Sequence, residues 1–188
     1  MTLLRRLRVR LSFFATDGRG STPIEGVLAS TFLLWWYMAS FTFFDAYRQK
    51  NVNLKAAYTI ADMLSRQTET VSPAYMRGLN TVFDYLTFSS QPTVLRVSSV
   101  YWDADLNTYR IAWSYSTNTT KYPVQTDATI ALSKDRIPTM PVGDTVVLVE
   151  TFMAFSPVFN VGLTPRWYDT FITTRPRFAS QVVFDPNA

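Results

Sequence analysis

The carboxylate of Glu25 has a position that solvation alone does not explain. It directly precedes residues 26–44, GVLASTFLLWWYMASFTFF, a run without a charged side chain that ends at Asp45. A carboxylate at the mouth of an apolar helix is costly unless it stays hydrated, faces the positive end of the helix dipole or pairs with a cation. The position therefore indicates a specific role for Glu25, and a simple helix-start residue favoured by the helix dipole is the alternative.

Catalytic chemistry has few candidates in this chain. The sequence contains no histidine and no cysteine, so disulfides, thiolate nucleophiles, Cys/His zinc sites and histidine general bases are excluded. No P-loop, dinucleotide-binding glycine motif or nucleophile elbow occurs, and the carboxylates have no spacing that indicates an acid/base pair. We therefore expect a protein that is not an enzyme and that binds no cofactor.

One acidic segment imitates a calcium-binding loop. Asp103, Asp105 and Asn107 have the spacing of the first three ligand positions, but Thr108 replaces the required glycine and Ser114 replaces the bidentate glutamate. The segment also lies between two runs rich in β-branched and aromatic residues. It therefore predicts a hairpin turn and no metal site.

Positive charge is concentrated at the amino terminus. Residues 1–20 contain five arginines and one aspartate, a net charge of +4 that equals the net charge of the whole chain, so residues 21–188 are neutral. The basic character of the protein therefore does not indicate nucleic-acid binding by the body. Beside an apolar run, this leader instead predicts residues 1–20 in the cytoplasm and residues 45–188 outside, by the positive-inside rule.

Residues 26–44 have the length and composition of a transmembrane helix. A helix of this length extends roughly 28 Å, close to the ~30 Å hydrocarbon core of a bilayer. Five small residues in the run predict close packing against another helix. They are Gly26, Ala29, Ser30, Ala39 and Ser40.

Two other interpretations of this run remain. The first is a buried core helix of a soluble protein, which the adjacent polybasic leader disfavours. The second is a secretory signal peptide cleaved near Ala39 or Ala46, which would leave a secreted soluble binding domain. The run exceeds the ~7–15 residues of a signal-peptide core, and bulky residues occupy positions 43 and 44, where a small-residue cleavage site would be expected.

Residues 19–49, RGSTPIEGVLASTFLLWWYMASFTFFDAYRQ, resemble the amino-terminal segment of type IV pilins and pseudopilins. The shared pattern is a short basic leader, a glycine (Gly20), a glutamate five residues later (Glu25) and an apolar helix. Within that superfamily the segment is most similar to the TadE-like minor pseudopilins of the tight-adherence (Tad) pilus. Residues 149–159, VETFMAFSPVF, are also similar to an aromatic-then-proline strand of that group.

The resemblance implies a mechanism of processing and assembly. A prepilin peptidase would cut between Gly20 and Ser21, and Glu25 would pair with the new amino terminus of a neighbouring subunit. The partners implied are the lipid bilayer and other pilin-like subunits, without nucleic acid. The implied location is the bacterial inner membrane, with the head in the periplasm and later incorporation into an extracellular pilus. An uncleaved single-pass envelope protein, whose head binds a component of a secretion or adhesion apparatus, is the alternative.

The elements that position these residues form an α+β protein. We expect a leader (1–20), a transmembrane and stalk helix (21–67) and an extracytoplasmic head (68–188). The stalk carries an apolar stripe that should face the head, at least in its upper half. That stripe consists of Tyr47, Leu54, Tyr58, Ala61 and Leu64.

The head is expected to contain an antiparallel sheet of about four strands with one or two short helices. A helix is predicted over 73–88 and a shorter one over 126–136. The predicted strands are 93–102 and 108–116, joined as a hairpin, then 145–155, and finally 170–174 with 178–184.

Overall fold

A computed structural model describes residues 12, 13, 16 and 21–188. Gly20 and most of the basic leader lie outside the described residues, as does the side chain of Ser21. The chain is α+β, as predicted: a long helix carries a small head that contains a four-stranded antiparallel sheet and short helices.

The long helix, α1, extends from Ser21 to Ser65 and is about 68 Å long at 1.5 Å per residue. Its last turn closes through a hydrogen bond from the Gln67 amide to the Leu64 carbonyl, 3.1 Å. The helix therefore ends two residues before the predicted boundary. No proline follows Pro23 within α1, so the apolar run and the stalk form one continuous helix.

The buried face of α1 differs from the predicted stripe. Ala61 and Leu64 are buried as expected, but Tyr47, Leu54 and Tyr58 are exposed. A neighbouring face, rich in small residues, lies against the sheet because short side chains let the helix backbone approach the strands closely. The buried residues of this face are Asn53, Ala56, Ala57, Ile60, Ala61, Leu64 and Ser65.

The second helix, α2, extends from Pro73 to Thr87, one residue short of the prediction. Ser72 caps its start by accepting a hydrogen bond from the Tyr75 amide, 3.2 Å, and Pro73 occupies the first turn, where its missing amide costs nothing. Phe88 ends the helix in the left-handed conformation, with φ of 51°. The buried side chains of α2 are Met76, Leu79 and Phe83.

Four antiparallel strands form the sheet in the order β2-β1-β3-β4. Their bounds are Thr93–Asp103 (β1), Thr108–Ser116 (β2), Thr145–Phe155 (β3) and Arg166–Thr174 (β4). The first three agree with prediction. The fourth begins four residues before the predicted Thr170, and residues 178–184 are not a strand.

The carboxyl-terminal segment crosses the head instead of joining the sheet. Pro176 lies two residues after the end of β4, and the chain beyond it makes one isolated parallel bridge, between Phe184 and Val71. The indole of Trp113 donates a hydrogen bond to the Val182 carbonyl, 2.7 Å. The β-branched and aromatic content of 178–184 thus serves packing over the sheet, not strand pairing.

The acidic segment after β1 is a hairpin turn, as predicted. The Asp103 carboxylate accepts hydrogen bonds from the backbone amides of Asp105 and Leu106, each 3.1 Å, and Asn107 adopts a left-handed φ of 51°. Across the described ranges, no group of three or more acidic side chains is placed to hold a metal ion. Between β2 and β3, the predicted single helix is two pieces, α3 (Asp127–Ala131) and a 3-10 turn (Lys134–Arg136).

Side chains pack on both faces of the sheet. One face, which includes Leu95, Val97 and Val149, packs with α1 and α2 in the larger core. The opposite face holds a smaller core around Ile130 and Leu148. On that opposite face, Arg96 of β1 and Glu150 of β3 form a largely buried two-pronged ion pair. Both N–O distances are 2.7 Å.

Asn53 fixes the register of α1 on the sheet. Its side chain is fully buried, and its carbonyl oxygen accepts hydrogen bonds from the hydroxyls of Thr151 on β3, 3.0 Å, and Thr170 on β4, 3.2 Å. Its amide nitrogen makes a longer 3.5 Å contact with the Tyr168 carbonyl. One helix residue therefore connects two strands that are more than ninety positions away in sequence.

Replacing Asn53 with alanine should destabilise the head by about 1–3 kcal/mol, because two threonine hydroxyls then lose a buried acceptor. The matched control is Asn51→Ala, at an exposed position of the same helix. The measurement is urea unfolding of the full chain in detergent, followed by tryptophan fluorescence. Equal free-energy changes in the two variants would contradict the role assigned to Asn53.

Candidate membrane anchor and assembly face

The amino-terminal part of α1, called the bare segment below, is not covered by the rest of the protein. Every residue from Thr22 to Tyr37 is exposed, including Leu28 at 65% and Leu33 at 63%. The helix is long and apolar enough to cross a membrane, and only 11% of its most apolar window is buried within the protein. The core helix of a soluble protein would be mostly buried, so this part of α1 does not belong to the core of the head.

The head first contacts α1 inside the apolar run. Ala39 and Thr42 are buried, and the ring of Phe159 lies 6.5 Å from the ring of Phe41, centre to centre. Phe159 belongs to residues 156–165, the β3–β4 loop. The hydroxyl of Tyr168 donates a hydrogen bond to the Ala46 carbonyl, 3.1 Å, one turn further along. Residues 39–46 of α1 therefore form a neck that the head holds on one side.

Four of the five small residues predicted to pack helices remain uncovered. Gly26, Ala29, Ser30 and Ser40 share one side of α1 and are exposed. A Cβ added to Gly26 would meet no atom within 4 Å. Ala39 differs, because it lies about 140° around the helix from Gly26 at ~100° per residue. Its burial shows that Ala39 packs against its own head, so it is not available to a second helix.

Two hydroxyl groups on the bare segment have partners within the helix. Ser30 and Thr31 each donate a hydrogen bond to the Val27 carbonyl, 2.9 Å in both cases. A hydroxyl bonded in this way costs little in an apolar surrounding, because its donor is satisfied without water. The polar residues of the run are thus compatible with lipid or with a close helix partner.

Glu25 is exposed and lies four residues after Ser21, on the same side of α1. The two backbone positions are about 6 Å apart along the helix axis at ~1.5 Å per residue. Gly20, where processing is predicted, falls outside the described residues. The structure thus places Glu25 on the uncovered segment, next to the small-residue face that begins at Gly26.

Tyr168 is a titratable group that contacts the neck. Burial raises its pKa above the ordinary value of 10.0, Arg166 lowers the pKa and Asp45 raises it. Ionisation would remove the proton that Tyr168 donates to Ala46. Because the pKa of Tyr168 is higher in the folded than in the unfolded state, its hydroxyl contributes fully to the stability of the head at pH values below the unfolded pKa. This contribution is lost as the pH rises through the folded pKa.

We expect Tyr168→Phe to remove this alkaline component of head stability. Between pH 9 and pH 11, the unfolding midpoint of the wild type should fall more steeply than that of the variant. The matched control is Tyr58→Phe, at an exposed position on the stalk. Parallel pH profiles for wild type and Tyr168→Phe would show that the hydroxyl does not stabilise the neck.

Gly26→Leu should change the unfolding free energy of the head by no more than about 0.5 kcal/mol relative to the wild type, because the site is open. The same variant should weaken association between α1 helices. Thr31→Leu adds similar bulk about 140° away around the helix and is the control. Energy transfer between donor- and acceptor-labelled full chains in vesicles measures the association. Undiminished transfer in Gly26→Leu would contradict an assembly role for this face.

Three features of this region were missed by sequence reasoning. The role of Asn53 has only a weak signal in the sequence, an amide side chain on a face of small residues. No sequence pattern indicates the exposure of Phe88 or the contact of Phe159 with α1. All three features depend on how the helices and strands of the head pack together, which is a tertiary property.

The chain matches no protein-family model, no curated protein and no solved structure. The likeness to pilins therefore rests on residues 19–49 and, more loosely, on residues 149–159.

Proposed function

We propose that this protein is a TadE-like minor pseudopilin that takes part in assembling a Tad-type pilus. It is anchored in the bacterial inner membrane by α1, with the amino terminus in the cytoplasm and the head in the periplasm. Its role is structural, without a catalytic step or a cofactor. The observation that carries the proposal is the division of α1 into an upper part held by the head and a bare apolar part that starts beside Glu25.

Charge supports a role for Glu25 in docking. An unpaired carboxylate costs ~2.5–3.5 kcal/mol at the centre of a bilayer and less near its surface. Cleavage after Gly20 would give Ser21 a free ammonium. When a neighbouring subunit lies in register, its ammonium would reach Glu25 and offset this cost, whereas a misaligned neighbour could not form this pair between subunits. Glu25 therefore selects the correct register.

Cleavage would also change how firmly the chain is held in the membrane. The leader contributes the full net side-chain charge of +4, and positive residues on the cytoplasmic side resist translocation. Without the leader, residues 21–188 are neutral overall. Such a body is suited to being drawn out of the bilayer into a filament, whereas an uncleaved chain is suited to permanent single-pass anchoring.

In a cleaved chain, the ammonium of its own Ser21 would compete with the neighbour's ammonium for Glu25. Because Ser21 and Glu25 lie on one side of the helix, the ammonium of a cleaved chain can approach its own carboxylate. This intrachain pair would protect Glu25 in the membrane before assembly. Exchange of that pair for one between subunits would then conserve charge pairing while adding contacts along the small-residue face.

Glu25→Gln removes the charge with little change in shape and should abolish pilus formation in the native bacterium while leaving membrane insertion intact. Glu25→Asp keeps the charge and is the matched control, with at least partial pilus formation expected. Sheared surface filaments and the membrane-bound protein are quantified in parallel by immunoblotting. Normal amounts of pili from Glu25→Gln cells would refute the docking role.

A further inference from the structure

The β3–β4 loop has an unusual composition for a surface segment. Residues 156–165 read SPVFNVGLTP and contain no charged side chain. Val158 is 59% exposed and Phe159 is 36% exposed, although Phe159 also touches Phe41 of α1. An uncharged loop with exposed apolar tips, pressed against an apolar helix, is a candidate contact surface for something other than water.

Helix length places this loop close to a membrane. From Gly26 to Tyr37 the bare segment has twelve residues, or about 18 Å at ~1.5 Å per residue, which is well short of a ~30 Å hydrocarbon core. The apolar run reaches the required length only by including residues 38–44. Within this stretch, Phe41 contacts Phe159 of the β3–β4 loop, and Phe43 lines a cleft with Leu163 of the loop. The loop is therefore brought to the boundary whenever α1 spans the bilayer.

Phe88 lies at the same end of the head and is 83% exposed. It occupies the left-handed position after α2, with φ of 51°, where glycine or asparagine is usual. Phe88 and Val158 line one open cleft of about 270 Å³ beside Asp45 of α1. The ring of Phe88 lies 6.2 Å from the ring of Tyr85, which is itself 75% exposed, so neither ring enters the core of the head. An exposed aromatic side chain at a strained backbone position favours an external contact.

Cationic and aromatic side chains form the next layer of the head. Arg48, Lys50 and Arg166 are exposed, and Lys50 and Arg166 line a second cleft together with Tyr47 and Trp167. Lysine and arginine attract phosphate groups at a membrane surface, and tyrosine and tryptophan favour the same depth. Asp45 and Asp169 line the same two clefts, so this layer has three cations against two carboxylates. From the bare helix upward, the order is thus apolar, then aromatic and on balance basic, then the body of the head.

We propose that the β3–β4 loop and Phe88 form a lipid-contacting collar around the base of the head. Its occupant is the outer interface of the bilayer that α1 crosses, so this inference rests on the membrane anchoring in the proposed function. Irregular backbone cannot enter the hydrocarbon region without unsatisfied polar groups. The collar therefore reaches the headgroup and upper acyl region, and Arg48, Lys50 and Arg166 contact lipid phosphates above it.

The absence of native cysteine allows a direct test with single-cysteine variants of the full chain. Val158→Cys reports on the collar, Leu28→Cys on the anchor, and Leu106→Cys on the hairpin turn at the opposite end of the sheet. Each variant carries an environment-sensitive fluorophore and is reconstituted into phosphatidylcholine and phosphatidylglycerol vesicles. The quenchers are lipids with a nitroxide high or deep in the acyl chain, and iodide in the water.

If the collar contacts lipid, the probe at residue 158 should be quenched most strongly by the shallow nitroxide. It should also be shielded from iodide at least twofold relative to the probe at residue 106. The probe at residue 28 should respond most to the deep nitroxide. If residue 158 behaves like residue 106 while residue 28 is deep, the collar is wrong and the anchor stands. If residue 28 is open to iodide, anchoring itself fails. Shielding of residue 158 without nitroxide quenching would mean a protein contact and also overturns the collar.

The variant Phe88→Asn distinguishes a contribution of Phe88 to folding from a contribution to lipid contact. Asparagine tolerates the left-handed conformation, so the head should melt at the same or a higher temperature in detergent. In the same vesicles, the probe at residue 158 in a Phe88→Asn background should lose part of its shallow quenching, because one side of the collar is weakened. A lower melting temperature with unchanged quenching would instead assign Phe88 to the fold and contradict its place in the collar.

Discussion

The burial of one face of α1, from Asn53 to Ser65, is the contact on which the rest of the structure depends. The small residues Ala56, Ala57 and Ala61 let the helix lie close to the sheet, and Asn53 bonds to β3 and β4 at once. Without this contact the apolar face of the sheet would be open to water. The apolar part of α1 would also have no fixed relation to the head.

Continuity of α1 turns this local packing into a functional constraint. Because no break separates the bare segment from the buried face, the depth of the helix in a bilayer also sets the height of the head. The neck at residues 39–46 strengthens that connection through Phe159 and Tyr168. A docking event at Glu25 would thus position the whole head, and contacts of the head with the lipid surface would in turn constrain the register of Glu25.

Local patterns in the sequence predicted most of the fold. The Ser72 cap with Pro73, the strand propensities around the Asp103 turn and the uninterrupted helix all have local causes, and each element was found within a few residues. The failures concern long-range choices. Tyr47, Leu54 and Tyr58 had the right periodicity, but a face of smaller side chains packs against the sheet instead. Residues 178–184 had strand propensity, but they cross the head, where Phe184 bridges Val71, instead of pairing with an edge strand. The exposed position of Glu25 before the apolar run follows from local sequence, whereas the burial of Ala39 and the exposure of Phe88 depend on packing.

The amino-terminal residue and the membrane partition of the mature protein, determined together in the source organism, test the proposed anchoring and processing most directly. The account predicts a membrane-retained chain that begins at Ser21, shown by mass spectrometry of the membrane fraction. An intact leader on a membrane-bound chain would contradict processing and support a permanent single-pass protein. A soluble chain that begins between residues 40 and 47 would contradict both, because the apolar part of α1 would then be a cleaved signal sequence.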